Sequence, residues 1–308
     1  MSMKPNALLP TILLFFTVLL LTGCTPKGEK LAEELHAAWN NQQAITTHHM
    51  SGKAELQLDL PLADAEQQPL TSALLYSLLH SQYAWQGSSD ADAARFETTM
   101  TITPAALGAA IHIPILIEEN TLYFHLPMIN KADEYMEIPM GDQFGATAAQ
   151  MQGVFAEWLA GITSSVDVSW LTEAEAGHPE HRLIHMAISD ERLPLVLNAA
   201  ADQWDRMLSR LTEAELDASL LRDVALGDYL RSASFSKDGH LNVTLDANGH
   251  IYAIELFLPF LVDGPSGEAA EQLISFHYTW DRINEEIERL QSKPALTKSL
   301  DAIYPLIK

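Results

Sequence analysis

The sequence has little cysteine and little positive charge. Cys24 is the only cysteine among 308 residues, which excludes a disulfide framework within the chain. Lysine and arginine together number 18 against 41 aspartate and glutamate residues, so the formal net charge is −23. Such an acidic balance disfavours nucleic acid and anionic lipid headgroups as partners. Because 47% of the residues are hydrophobic, we expect a large apolar core that needs no disulfide to stabilise it.

Specific catalytic and metal-binding motifs are also missing. The sequence contains no HExxH, no EF-hand loop, no Gly-x-Ser-x-Gly elbow and no glycine-rich phosphate loop. The best metal candidates are His178, His181 and His185, but in a strand the last two would lie about 13 Å apart, at roughly 3.3 Å per residue. His48 and His49 are adjacent and would point to opposite faces of a strand. We therefore predict a non-catalytic protein with no metal site and no cofactor.

The first 24 residues have the layout of a secretory signal. Lys4 precedes an apolar run from Ala7 to Leu21, and small residues lead into Cys24. The ending Leu21-Thr22-Gly23-Cys24 resembles the bacterial lipoprotein box, which implies that residues 1–23 are removed and that Cys24 receives lipid. An uncleaved membrane anchor is the alternative, but the apolar run is short for a span of about 20 residues. We expect an extracytoplasmic protein anchored to the membrane through lipidated Cys24.

The hydrophobic period indicates short strands in two blocks, each associated with helices. Strands are predicted at 50–60, 96–104, 111–117, 122–126, 135–138, 166–171, 182–188, 233–236, 241–245, 250–260 and 273–280. Helices are predicted at 29–42, 145–162 and 281–291, with a helix pair between 194 and 231 that breaks near Thr212. Residues 72–87 fit either a helix or a strand. This order predicts an α+β fold with a strongly curved antiparallel sheet, not the alternating pattern of a nucleotide-binding domain.

Three local features follow one another along the chain. A helix and the strand Met50-Ser51-Gly52-Lys53 come after the lipoprotein box, and the strand Arg182–Ile188 precedes the helix pair. The turn Asp246-Ala247-Asn248-Gly249 then joins two strands ahead of a last strand that ends in Asp281-Arg282-Ile283-Asn284. This arrangement resembles Gram-positive bacterial lipoproteins of the LolA/LppX-like superfamily. The resemblance implies a half-open β-barrel with helices on its concave side and an apolar hollow that holds a lipid or another apolar molecule.

Aromatic and flexible apolar residues are the candidates for the wall of such a hollow. The same residues would also suit a filled core, and the sequence leaves both interpretations open. The candidate ligand-cavity residues are Trp85, Phe96, Met100, Phe155, Trp158, Leu256, Phe276, Tyr278 and Trp280.

We expect one domain in the mature chain. Residues 24–30 would be the lipidated cysteine and a tether, 31–291 a single LolA/LppX-like domain, and 292–308 a C-terminal tail. The predicted function is to bind or carry a lipid or other apolar ligand as a monomer, without catalysis and without nucleic acid. The alternative is an envelope interaction protein with a filled core that acts through its acidic surface. An enzyme with dispersed acidic residues is the third and least favoured hypothesis.

Overall fold

The computed structural model describes residues 27–60, 69–105, 108–127, 129–139, 167–213, 226–263 and 268–299. The predicted signal at 1–23, the lipidation site Cys24 and the predicted helix at 145–162 lie outside the described residues.

The described strands form one sheet of thirteen strands. Their bounds are β1 Thr47–Gln57, β2 Ser81–Asp90, β3 Arg95–Pro104, β4 Ile111–Glu118, β5 Thr121–Phe124, β6 Glu134–Pro139, β7 Leu171–Ala174, β8 Arg182–Ile188, β9 Ser234–Phe235, β10 Gly239–Leu245, β11 Ile251–Asp263, β12 Ala269–Asp281 and β13 Leu296–Ser299. The spatial order is β13-β6-β5-β4-β3-β2-β1-β12-β11-β10-β8-β7, and β9 pairs with β11 beside this path.

Two antiparallel meanders meet at the middle of the sheet. Strands β1 to β6 follow one another in sequence order, and β1 pairs on its other side with β12 of the C-terminal block. The path ends at β13 and β7 without joining them in the described part of the chain, so the curved sheet stays open. The predicted α+β class with a curved sheet is confirmed. The sheet is nevertheless mixed, because β13 pairs with β6 in parallel.

Four α-helices occur in the described segments. Their bounds are α1 Lys27–Gln42, α2 Pro69–Leu79, α3 Leu193–Glu213 and α4 Leu226–Arg231. The region 72–87, which fits both kinds of element, contains the end of α2 and the beginning of β2. None of the helices in the described segments is long and apolar enough to cross a membrane.

The N-terminal helix α1 packs against the C-terminal half of the sheet. Its apolar residues recur at helical spacing, and Leu31, Leu35 and Trp39 are all buried. At its C-terminal end, the Gln42 side chain donates to the Ile251 carbonyl and accepts from the Ile251 amide, both at 3.1 Å. These paired hydrogen bonds fix the end of α1 against the first residue of β11.

The hydrophobic core lies between the helices and one face of strands β8, β10 and β11. Strand β10 illustrates that only one face of the sheet is buried there. Its burial alternates with a period of two, and the odd-numbered residues from Gly239 to Leu245 are buried. Helix α3 covers these strands with Leu193 and Leu197, and α4 adds Tyr229 and Leu230. The helices therefore pack on the concave side of the sheet, as predicted.

Two predicted elements are wrong. Residues 281–291 do not form a helix, since Arg282 and Asn284 have φ values of 50° and 58°, in the left-handed region that interrupts a helix. The predicted strand at 166–171 begins only at Leu171, because the Asp167 side chain accepts the Ser169 amide at 2.8 Å and caps a 3₁₀ turn over Val168–Trp170. At Asp167 this local hydrogen bond overrides the hydrophobic pattern.

Candidate ligand-binding face of the sheet

The register places the described cavity candidates on one face of the sheet, which we call the inner face. Gly52 lies opposite Trp85 on one side and opposite Tyr278 on the other, and Trp85 lies opposite Met100. Residues directly opposite one another in a ladder project to the same face. The described candidates that share this face are Trp85, Phe96, Met100, Leu256, Phe276, Tyr278 and Trp280. Phe155 and Trp158 lie outside the described residues.

Four of these aromatic side chains form a cluster over β1, β2 and β12. The ring centroids of Trp85 lie 5.7 Å from Phe276 and 5.9 Å from Tyr278, and those of Tyr278 and Trp280 lie 4.1 Å apart. The Tyr278 hydroxyl donates to the Met50 sulfur at 3.1 Å. Burial raises the pKa of Tyr278, so its phenol stays protonated and uncharged.

Gly52 makes room for this cluster. A Cβ atom at this position would overlap the Trp85 indole and lie 2.7 Å from the His277 carbonyl oxygen. The indole therefore crosses β1 in direct contact with the backbone. Sequence reasoning placed Gly52 on the apolar face of a strand but contained no signal that an indole lies over it.

The inner face differs in burial between its two halves. Under the helices, Val243, Ile254 and Phe260 are almost fully buried. In the N-terminal half, the apolar side chains of three neighbouring strands are only half-buried. These are Met100 and Ile102 on β3, Ile111, Ile113, Ile115 and Ile117 on β4, and Leu122 and Phe124 on β5. This half of the face therefore offers a continuous apolar surface with area left to bury.

The exposed positions of the opposite, outer face are polar, and the apolar residues Leu116 and Tyr123 on that face are buried. The exposed positions, which follow the alternation of the strands, include Lys53, Gln82, Thr99, His112 and Glu255. The inner face thus offers an apolar ligand accessible apolar area, and burial of apolar surface drives such binding.

His48 is a polar exception on the inner face. It lies opposite Ser89, which in turn lies opposite Phe96. Its side chain is 4% exposed, and neither Nδ1 nor Nε2 has a hydrogen-bond partner. Burial, with a smaller contribution from the charge of His49, lowers the pKa of His48 to about 4. Sequence reasoning considered His48 only as a metal ligand beside His49. The alternation of His48 with Met50 was the signal that could have placed His48 on the apolar face of the strand.

A segment after β12 crosses the outer face and replaces the predicted helix. We call residues 282–295 the strap. The buried Glu97 carboxylate accepts the backbone amides of Leu290 at 2.7 Å and Gln291 at 3.0 Å. It also accepts Ser88 Oγ at 2.9 Å and pairs with Arg95 at 2.9 Å. Arg95 in turn pairs with Glu118 and donates to the Gln291 carbonyl.

These hydrogen bonds decide the charge state of Glu97. Burial on its own would raise the pKa of this carboxyl group. The amide of Leu290, the Arg95 guanidinium, the Ser88 hydroxyl and the amide of Gln291 outweigh that effect, and the pKa lies below its ordinary value. Glu97 is therefore ionised and holds the strap on the sheet.

The histidines considered as metal ligands are spread over the sheet. The rings of His178 and His181 lie 4.8 Å apart at the turn before β8, whereas the Nδ1 atom of His185 is 2.7 Å from the Asn242 side-chain oxygen. Among the described residues, no group of three or more His, Cys, Asp or Glu side chains is arranged to hold a metal ion.

Comparison with known proteins finds similar chains among the solved structures, including two mycobacterial lipoproteins. No model of a protein family matches the chain, and no curated protein matches it. The crystal structure of lipoprotein LppX from Mycobacterium tuberculosis has 11% identity and a TM-score of 0.35, and the match covers 84% of this chain and 98% of LppX. The structure of LprF from Mycobacterium bovis has 9% identity and a TM-score of 0.37, with 88% and 98% covered. The fold itself is defined by the strand order and helix packing described above.

Proposed function

We propose that this protein is a lipid-anchored extracytoplasmic lipoprotein that binds a lipid or another apolar ligand on the inner face and has no catalytic activity. The observation that carries the proposal is the half-buried apolar surface of β3, β4 and β5, continuous with the aromatic cluster at Trp85 and Tyr278. A ligand chain lying there would remove further apolar area from water, at about 25 cal/mol per Å². The anchor would be the lipid on Cys24.

A pair of adjacent substitutions on β4 tests where the ligand binds. Ile113 is on the inner face, and His112 is exposed on the outer face. We expect a soluble form that begins at Thr25 to bind a fluorescent fatty-acyl probe with one-to-one stoichiometry. Ile113→Gln should weaken this binding about tenfold or more because it buries an unpaired amide against the acyl chain. The His112→Gln variant should bind the probe as the wild type does. Equal weakening by both substitutions would contradict binding on the inner face.

The membrane anchor needs a separate test. Cells that express the chain should incorporate labelled palmitate into the wild-type protein, and the Cys24→Ala variant should remain unlabelled and leave the membrane fraction. Labelling of the variant would contradict lipidation at Cys24. It would leave the proposed binding of a ligand on the inner face unaffected.

The second candidate is an interaction protein with a filled core. The contact between Tyr278 and Trp280, and the indole of Trp85 against Gly52, favour it, because these side chains already pack on one another. Its partner would bind the acidic surface, and the association would weaken as ionic strength rises. Under this alternative the folded protein would not bind the fluorescent probe stoichiometrically, whereas co-purification of a partner would depend on salt.

A further inference from the structure

His48 has two buried nitrogen atoms that the protein does not satisfy. The side chain is 4% exposed, and both ring nitrogens lack a hydrogen-bond partner. Burying a polar group without a partner opposes folding, and native proteins pair the great majority of such groups. An apolar side chain of similar shape would avoid this penalty at position 48. The imidazole therefore indicates a partner that comes from outside the chain.

The position of His48 shows where that partner would lie. His48 shares the inner face with Met50, two residues further along β1, and with Phe96, two strands away. The Met50 sulfur already accepts the Tyr278 hydroxyl, so the polar group of the aromatic cluster is satisfied within the protein. Next to His48, the Asn284 amide donates to the Thr47 carbonyl at 2.7 Å. His48 is the second residue of β1 and thus lies at one end of the apolar face.

The chemistry of the partner follows from the state of the ring. The imidazole of His48 is held neutral by burial, which lowers its pKa to about 4. A neutral imidazole offers one N–H donor and one acceptor nitrogen. A hydroxyl group can pair with either nitrogen, because it donates to the acceptor nitrogen or accepts from the N–H. An anionic headgroup would face an uncharged ring and a protein with a formal net charge of −23.

We propose that His48 hydrogen-bonds the hydroxyl group of an uncharged amphiphile whose apolar chain lies along the inner face. This inference rests on the proposed function, since it names the ligand class and the polar contact of the same face. His48 then acts as a specificity-determining residue, and the apolar strands supply most of the affinity.

Two matched probes test the inference on the full-length protein in nanodiscs. Both carry the same photoactivatable acyl chain, one as a monoacylglycerol with free hydroxyl groups and the other as a methyl ester with none. The measurement is the probe concentration that gives half-maximal cross-linking to peptides from β2 and β3. We expect the wild type to prefer the monoacylglycerol about tenfold, the usual effect of a buried polar group left without its partner.

Two variants separate recognition from folding. His48→Phe should bind both probes equally and should melt no lower than the wild type, because it removes an unpaired buried group. His48→Gln should retain part of the preference, since an amide also donates and accepts. Met100→Ala, on the apolar surface, should weaken both probes alike.

The possible failures are distinguishable. Equal binding of both probes by the wild type, or an unchanged preference in a folded His48→Phe variant, would overturn the role of His48 and leave the proposed function intact. If neither probe gives saturable cross-linking to these peptides in the wild type, the proposed function is wrong, and the inference about His48 is overturned with it.

Discussion

At the scale of single residues, Gly52 is the position where the smallest change should have a large effect. The Gly52→Ala variant must displace the Trp85 indole or the backbone at His277. We expect a loss of about 1–3 kcal/mol in the free energy of unfolding, as for overpacked cores. Gly177→Ala is the matched control, because a Cβ there meets no atom within 4 Å. Denaturant unfolding of both variants checks this, and equal stabilities would contradict the packing of Trp85 over β1.

A second prediction for a single residue concerns His48 and the pH dependence of the free energy of unfolding. Its pKa in the folded protein is about 4, below the ordinary value of 6.5, so the unfolded chain takes up a proton first as the pH falls. As far as His48 is concerned, the free energy of unfolding is therefore constant above pH 6.5 and falls by up to about 3 kcal/mol towards pH 4. Chemical unfolding across this range should show a weaker pH dependence in His48→Phe than in the wild type. The exposed-site variant His112→Gln should keep the wild-type dependence. A His48→Phe curve parallel to that of the wild type would mean that the ring is not buried as described.

At the scale of elements, the strap shows why one predicted helix was wrong. The charged sequence between Glu285 and Leu290 has good intrinsic helix propensity, and a local pattern carries no information about a carboxylate 193 residues away. The β4–β5 hairpin is the opposite case. Glu119 and Asn120 have φ values of 52° and 58°, as a two-residue turn of type I′ requires, and the strands predicted at 111–117 and 122–126 flank this turn. In this hairpin the determinants are adjacent in sequence.

Glu97 determines the attachment of the strap. Glu97→Gln removes a buried ionised partner of Arg95, and we expect it to cost about 3 kcal/mol of unfolding free energy at pH 7. The amides of Leu290 and Gln291 should then exchange with deuterium faster. The matched control is Glu119→Gln, whose exposed carboxylate contacts Lys293 on the same strap at 2.6 Å, and it should exchange as the wild type does.

The sign of the pH effect adds a check on Glu97. Because its pKa is lower in the folded than in the unfolded chain, its contribution is present above the ordinary pKa of 4.5 and is lost as the pH falls below that value. The stability difference between wild type and Glu97→Gln should therefore shrink on acidification. A stability difference that increases as the pH falls would contradict an ionised Glu97.

At the scale of the whole molecule, the sequence predicted the fold class but neither the face that the candidate residues share nor the polar details of that face. Alternation with a period of two assigns Trp85, Met100 and Tyr278 to one surface once the strands pair. The meeting of β1 with β12, which brings those residues together, joins segments more than 200 positions apart. Neither the space at Gly52 nor the unpaired ring of His48 can be derived from local spacing.

Native mass spectrometry tests the claim that the inner face binds an apolar ligand. The protein to measure is the soluble form that begins at Thr25, purified from cells without detergent. We predict a population whose mass exceeds that of the chain by one lipid, and expect this population to be depleted in the Ile113→Gln variant but not in His112→Gln. A consistently bare mass in the wild type, in preparations that remain folded, would contradict the claim.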